Sequence, residues 1–204
     1  MKKIYAALVF ILLSFCGLAQ TTVYLRFINY NSQLLKTDGT FAAGSLVTTP
    51  SIDPNNQEFF KTTTFSQSVQ QTLDIGSPSS GSGTAKLEFN ASVFTRPVDA
   101  ASPILFQNLA SGTAYKTAEV FFTDPTNRII FKLLYKLVTV KYIGWAGASC
   151  SSDCPGAIET VTIEYGGQLQ FVYKSGNTFL STPIIRGWNR VRNVADNDPN
   201  TVIQ

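Results

Sequence analysis

Apolar and polar residues alternate along most of this chain with the two-residue period of β-strands. Thr22–Ile28 (TVYLRFI) opens the series. Phe59–Leu73 is polar but rich in threonine and valine, which predicts one or two strands. Thr84–Thr95 sets Leu87, Phe89, Ala91 and Val93 against polar partners, and Lys116–Thr123 gives another strand. The longest run is Arg128–Ile143. It carries Ile129, Phe131, Leu133, Tyr135 and Leu137 on one face and mixes Lys132 and Lys136 with Ile130, Leu134 and Val138 on the other. A strand of that kind is covered on both sides. Glu159–Lys174 closes the series, interrupted by Gly166-Gly167, which marks a bulge or a tight bend. One segment has helical spacing instead: Ile104, Leu105 and Leu109 share a face, Asp99 or Ser102 can cap the start, Pro103 fits the first turn and Gly112 the stop. Ser32–Asn56 and Gly76–Gly83 (GSPSSGSG) read as polar loops. Many strands with one short helix predict a mainly all-β fold, a barrel or sandwich.

The first residues break this pattern. Lys2 and Lys3 precede an apolar run from Ile4 to Phe15, and Gly17-Leu18-Ala19 follows with small residues. That is the form of a Sec signal peptide, residues 1–19, with cleavage between Ala19 and Gln20. Lipidation at Cys16 is disfavoured by the bulk of Phe15 just before it. After the leader no apolar segment is long enough to span a bilayer as a helix, so stable membrane insertion is not expected. The formal charge of +3 includes the two leader lysines, which leaves the mature chain close to neutral. Nothing in that balance calls for nucleic acid as a partner. Export also bears on Cys150 and Cys154 in GASCSSDCPG: in an oxidising compartment they are candidates for a small disulfide staple rather than two free thiols. A metal site would need more ligands than this pair supplies.

Candidate chemistry is sparse. The chain has no histidine, which removes Ser-His-Asp and Cys-His sites. Glu159 and Glu164 are close in sequence but on a strand point to opposite faces. Asp196 and Asp198 fall in residues 196–204, which read as a flexible tail with solvated charges. No enzyme and no cofactor are expected. The string Arg186–Asp196 (RGWNRVRNVAD) sets three arginines around Trp188, and an indole in a basic stretch predicts packing or a subunit contact.

Three stretches together resemble the haemolysin-coregulated proteins (Hcp), the ring-forming tube subunits of type VI secretion. The first is the Gly/Ser loop and strand GSPSSGSGTAKLEFNASVFTR, ending in Phe94, Thr95 and Arg96. Next comes the short helix opened by Asp99 and Ser102-Pro103, closed by Ser111-Gly112 and followed by Tyr115. The third is ETVTIEYGGQLQFVYK with Gly187-Trp188-Asn189 and Arg192-Asn193 behind it. The resemblance implies a β-barrel of two packed sheets with one flanking helix over residues 20–195. It implies a homohexameric ring whose contacts could use the motif residues, stacking of rings into a tube, and a pore that can hold a small effector or other protein. The implied role is structural and non-catalytic. The leader and the cysteine pair mark an exported member, periplasmic or secreted. The alternative is a monomeric secreted β-barrel that binds a protein or glycan partner.

Overall fold

A computed structural model describes residues 21–72, 86–147 and 156–203. Its strands are β1 (Thr22–Ile28), β2 (Gln33–Leu35), β3 (Phe41–Ala43), β4 (Phe60–Thr62), β5 (Thr64–Ser66), β6 (Val69–Thr72), β7 (Lys86–Phe89) and β8 (Ser92–Pro97), followed by helix α1 (Ser102–Ser111). The remaining strands are β9 (Ala114–Thr123), β10 (Ile129–Gly147), β11 (Ala157–Ser175), β12 (Thr178–Asn189) and β13 (Val194–Ala195).

The main sheet runs β13-β12-β11-β10-β9-β1-β2-β3. It closes on itself through one bent stretch. β4 pairs antiparallel with β1, β5 pairs antiparallel with β8, and β8 pairs with β11. Between β4 and β5, the Thr63 N–H donates to the Thr95 carbonyl at 2.7 Å. The result is a barrel of β1, β4–β5, β8, β11, β10 and β9, and closure removes the sheet edges that an open stack of these strands would expose. β6 and β7 form a separate hairpin.

The barrel interior holds Leu25, Phe27, Phe60, Phe94, Tyr115, Val120, Leu133, Tyr135, Val161 and Ile163. Helix α1 packs Leu105 and the preceding Ala101 onto this core. Asp99 Oδ1 accepts the Ala101 N–H and Ser102 Oγ accepts the Asp99 N–H, bonds that shape the turn before the helix; the N-cap is Ala101, without a side-chain cap, so neither expected residue caps the helix. Gly112 ends the helix at φ +67°, a left-handed position that glycine adopts without strain.

A second apolar cluster lies on the outer face of the wall: Tyr24, Phe121, Ile129, Leu134, Leu169, Phe171 and Tyr173. Residues 44–59 cross this face like a strap and cover it with Leu46, Val47, Ile52 and Phe59. That explains the two-sided burial of β10, where Lys132–Lys136 are all buried. The expected bulge at Gly166-Gly167 is absent from the ladder: β10 and β11 keep one register from Lys136 opposite Gly167 to Val138 opposite Tyr165, and the irregularities fall at Val140/Tyr142 and, towards β12, at Val172/Lys174. Leu137 of β10 has φ +50°, and a Cβ on Gly166 would sit 3.1 Å from Leu137 Cδ2.

Several boundaries differ from the expectation. The polar segment Ser32–Asn56 contains β2 and β3, with Leu34 and Leu35 fully buried. The run Phe59–Leu73 divides into β4, β5 and β6 because the barrel turns its corner at Thr63. The run Thr84–Thr95 breaks at Asn90, whose N–H donates to the Ser68 carbonyl and whose carbonyl accepts the Tyr165 hydroxyl. Residues 196–203 are not a loose tail. Asp196 and Ile203 are buried, Lys136 donates to the Asp196 carboxylate at 2.9 Å, and the Tyr30 hydroxyl donates to the Ile203 carbonyl at 3.2 Å. The buried Lys136 ammonium needs a counter-charge, and Asp196 supplies it, so the reading of this aspartate as a solvated charge is corrected.

Candidate functional site

Two motifs of the sequence, Phe94-Thr95-Arg96 and Gly187-Trp188-Asn189, sit on neighbouring parts of the barrel wall. β8 and β12 both pair with β11, at its two ends. In the first motif Phe94 is fully buried in the barrel core, and Thr95 Oγ1 accepts the Thr64 hydroxyl at 2.8 Å across the closing seam. Arg96 is 1% exposed. Its Nε donates to Glu159 Oε1 at 2.7 Å, its two terminal nitrogens donate to Asp99 at 2.7 and 3.0 Å, and its guanidinium lies over the Phe60 ring at 4.5 Å. This is a bidentate pair with a stacked face, a geometry that arginine fills and lysine does not. The cluster ties β8, β11, β4 and the start of α1 together. Phe94 and Arg96 therefore hold the fold of one subunit and are not free to contact another.

In the second motif Gly187 allows a close approach. A Cβ there would meet the Asp196 carbonyl oxygen at 2.5 Å, the Gln168 carbonyl oxygen at 2.6 Å and Leu169 Cγ at 2.7 Å. Asn189 is buried, and its Oδ1 accepts the Arg192 N–H. Arg190 donates to the Tyr165 carbonyl at 2.6 Å and lies over the Phe89 and Tyr165 rings. Trp188 is half-buried, while Arg186 and Arg192 are exposed. Around them stand exposed apolar residues, Ile184 at 52%, Val191 at 59% and Val194 at 48%. Of the six motif residues other than Arg192, Thr95, Gly187 and Trp188 are partly exposed and Phe94, Arg96 and Asn189 are buried.

The sequence reading missed the strongest electrostatic feature. Glu119 of β9 is fully buried on the outer face, facing Arg26 of β1 at 3.2 Å and Lys132 of β10 at 3.2 Å. Arg26 also pairs with Glu58 of the strap at 3.1 Å. Both Glu119 oxygens accept the Val47 N–H, Lys132 donates to the Val47 carbonyl at 3.1 Å, and Arg26 donates to the Ser45 carbonyl at 3.2 Å. The strap is thus clamped by its backbone to a compensated charge cluster. Burial pushes the Glu119 carboxyl above its ordinary pKa, and Lys132 and Arg26 pull it part of the way back. Tyr173 is pushed up to about 12, first by burial and then by the Glu119 charge. Only one sequence signal pointed here: lysines within a strand whose two faces are both apolar.

Glu159 and Glu164 lie on opposite faces, as strand alternation requires. Glu159 is fully buried on Arg96, and Glu164 pairs with Lys141 at the surface. Among the described residues, no group of three or more Cys, Asp or Glu is placed to hold a metal ion, and no helix is long and apolar enough to cross a membrane. Ala19, Gln20, Cys150 and Cys154 lie outside the described residues.

Comparison with known proteins adds a family and a set of similar structures. The family model described as "Type VI secretion system effector, Hcp" matches residues 35–173. A crystal structure of Hcp1 from Salmonella typhimurium superposes with a TM-score of 0.61 at 18% identity, covering 88% of this chain and 100% of that one. A structure described as a type six secretion system protein gives 0.67 at 17% identity over 87% of this chain and 100% of its own. The secreted protein Hcp3 from Pseudomonas aeruginosa gives 0.53 at 15% identity, over 83% and 98%. At these identities the structural likeness speaks for the fold. No curated protein sequence matches the chain.

Proposed function

Taking as premise that the chain belongs to the Hcp family of type VI secretion, we propose that it is an exported member that closes into a six-membered ring. Membership makes it a structural tube protein. The observation that carries the ring is the distribution of exposed apolar surface on an otherwise closed barrel. One patch, Ile184 with Val191 and Val194, sits on β12, the turn after it and β13. Another, Phe106 of α1 and Trp145 of β10, places two half-exposed rings 6.0 Å apart. Ile184 is opposite Val172 and Trp145 is opposite Glu159, so the patches are separated by roughly 40 Å of β11. Two different patches on one subunit are what a head-to-tail contact needs, and such contacts repeat around a closed ring. A ring of this kind encloses a lumen that could take a small effector or other protein.

The test is the mass of the mature chain, Gln20–Gln204, by light scattering after size exclusion, with negative-stain images of the peak. Six subunits in a ring are expected. A monomer at tens of micromolar would leave the barrel standing and end the ring assignment. Fractionation of cells that make the chain with and without residues 1–19 tests export: the leader should move it out of the cytoplasm.

A further inference from the structure

We infer that the recess between the carboxy-terminal segment and the start of the strap is a binding site for a single sugar acid, a hydroxylated ring that carries one carboxylate. The recess has a volume of about 330 Å³. It is lined by residues 44–46 of the strap, residues 199–202 of the carboxy-terminal segment, and Ile28, Ser32, Lys116 and Thr117. That volume lies at the small end of ligand pockets, which suits one ring and not a chain of them. The inference rests neither on export nor on the six-membered ring.

Three features point to that ligand. The first is an uncommitted positive charge. Lys36, Lys132, Lys136 and Lys141 each pair with a carboxylate. Lys116, half-buried at the recess, pairs with none among the described residues, and no carboxylate side chain among them lines the recess. Two other cations stand close, and both are already compensated. Arg26 donates to the Ser45 carbonyl but is held by Glu119 and Glu58. Lys136, opposite Thr117 in the ladder, is held by Asp196. The recess therefore offers one charge, which matches a carboxylate and leaves a phosphate dianion half unpaired. The second feature is a set of hydroxyls, those of Ser32, Ser45, Thr117 and Thr201. Thr117 is only 6% exposed, and among the described residues none of the four side chains is engaged in a hydrogen bond. Hydroxyls both donate and accept, as a sugar's do, and a bound one would give Thr117 the partner that the fold does not supply. Ile28, Leu46 and Val202 offer apolar contact to the C–H groups of the ring. Third, the walls are preformed. Residues 199–202 run between two anchors. At one, Lys136 donates to the Asp196 carboxylate and the Asp198 carbonyl. At the other, Ile203 is buried and its carbonyl accepts the Tyr30 hydroxyl. Asp198 Oδ1 accepts the Asn200 N–H and fixes the turn between them. On the strap, Gly44 passes so close to β2 that a Cβ there would sit 2.8 Å from that of Leu34. A site already ordered keeps more of its contact energy as affinity.

The experiment titrates the purified chain, in whatever oligomer it forms, with D-glucuronate, D-glucose and inorganic phosphate, read by calorimetry and by saturation-transfer NMR. Glucuronate is expected to bind with a Kd of about 1 mM or below. Glucose, which has the hydroxyls without the carboxylate, should bind at least about tenfold more weakly, and so should phosphate. Lys116→Met should weaken glucuronate at least about tenfold. Thr117→Val, which keeps the shape and removes the hydroxyl, should weaken it about threefold. Lys61→Met, outside the recess, should change nothing. Urea midpoints check that the variants are folded, and the comparison of glucuronate with glucose on the wild-type chain does not depend on any variant. No signal with glucuronate at about 10 mM, glucose or phosphate bound as tightly as glucuronate, or full affinity in folded Lys116→Met would each overturn the inference.

Discussion

Lys132→Met tests the clamp under the strap. Lys132 is 3% exposed, and its ammonium is shared between Glu119 and the Val47 carbonyl, 4.2 Å from the Phe171 ring centroid. Methionine keeps the stem against Phe121 and Phe171 and deletes the charge. Glu119, with no exposed surface, is then left with Arg26, which already divides itself between Glu119 and Glu58. Breaking a buried pair from one side costs about 3–5 kcal/mol. In a chain of this size that lowers Tm by on the order of 10 °C. Adding Glu119→Gln to the methionine variant removes the uncompensated carboxylate and should return about 2–3 kcal/mol, because residues in one charge network do not add. The pH dependence has a definite sign. The Glu119 pKa in the fold lies above its unfolded value near 4.5. Its contribution is therefore full below that value and falls as pH rises through the raised one. Loss of Lys132 raises it further, so the single variant should be closer to wild type at pH 5 than at pH 8. Urea unfolding at both pH values, with hydrogen exchange at residues 45–58, reads all of this. A double variant no more stable than the single one, or equal losses at the two pH values, would refute the clamp as described.

Asp196→Ala should free residues 196–203 and leave Lys136 buried with only the Asp198 carbonyl. A loss of about 3 kcal/mol is expected, with faster hydrogen exchange confined to that segment and to β13. Gly187→Ala places a methyl group within 2.5 Å of the Asp196 carbonyl oxygen. It should cost about 1–3 kcal/mol in urea unfolding, and an unchanged midpoint would contradict the close approach. Burial raises the phenols of Tyr115, Tyr135 and Tyr173 above their ordinary pKa of 10.0, Tyr173 to about 12. Their contribution is full below pH 10 and is lost as pH climbs towards 12 and beyond. Absorbance near 295 nm should rise together with loss of the far-UV circular dichroism signal. Free titration of every tyrosine near pH 10 with the dichroism unchanged would show that these rings are not buried as described.

The central strands were legible because alternation in them is strong. Thr22–Ile28 matches β1 end to end, and β9, β10 and β11 differ from their sequence boundaries only at their ends. The helix was legible from its punctuation, Pro103 and Gly112, though its start is not capped by the side chain expected. What was not legible came from partners distant in sequence. β3 and β12 carry exposed or half-buried residues on much of their length, and β2 is only three residues long, so their alternation is faint until β1 and β11 supply the ladder. Asp196 looked like a tail charge because Lys136 lies 60 residues away. Arg26, Glu119 and Lys132 looked like ordinary strand polar positions, since the strap that buries them is an irregular segment with no period to read. The family motifs pointed to the family, and Phe94, Arg96 and Asn189 among them are buried within the subunit.

The bent strand that closes the barrel has a consequence for the order in which the chain can fold. β1 is the first strand of the fold, and its partners β9 and β4 are both remote from it in sequence. Arg26 meets Glu119 across 93 residues, and Thr62 meets Val23 across 39. Emerging from its amino-terminal end, the chain can form only its local hairpins until β9 to β11 have arrived. Loop closure on that scale precedes any stabilising contact and slows folding. Until then the apolar faces of β1, β4 and β8 are uncovered together, and such a barrel is most exposed to aggregation before its last third is available. Refolding from urea should therefore proceed on the millisecond-to-second scale typical of non-local β-structure. Truncations that end before β11 should not yield a shorter stable barrel.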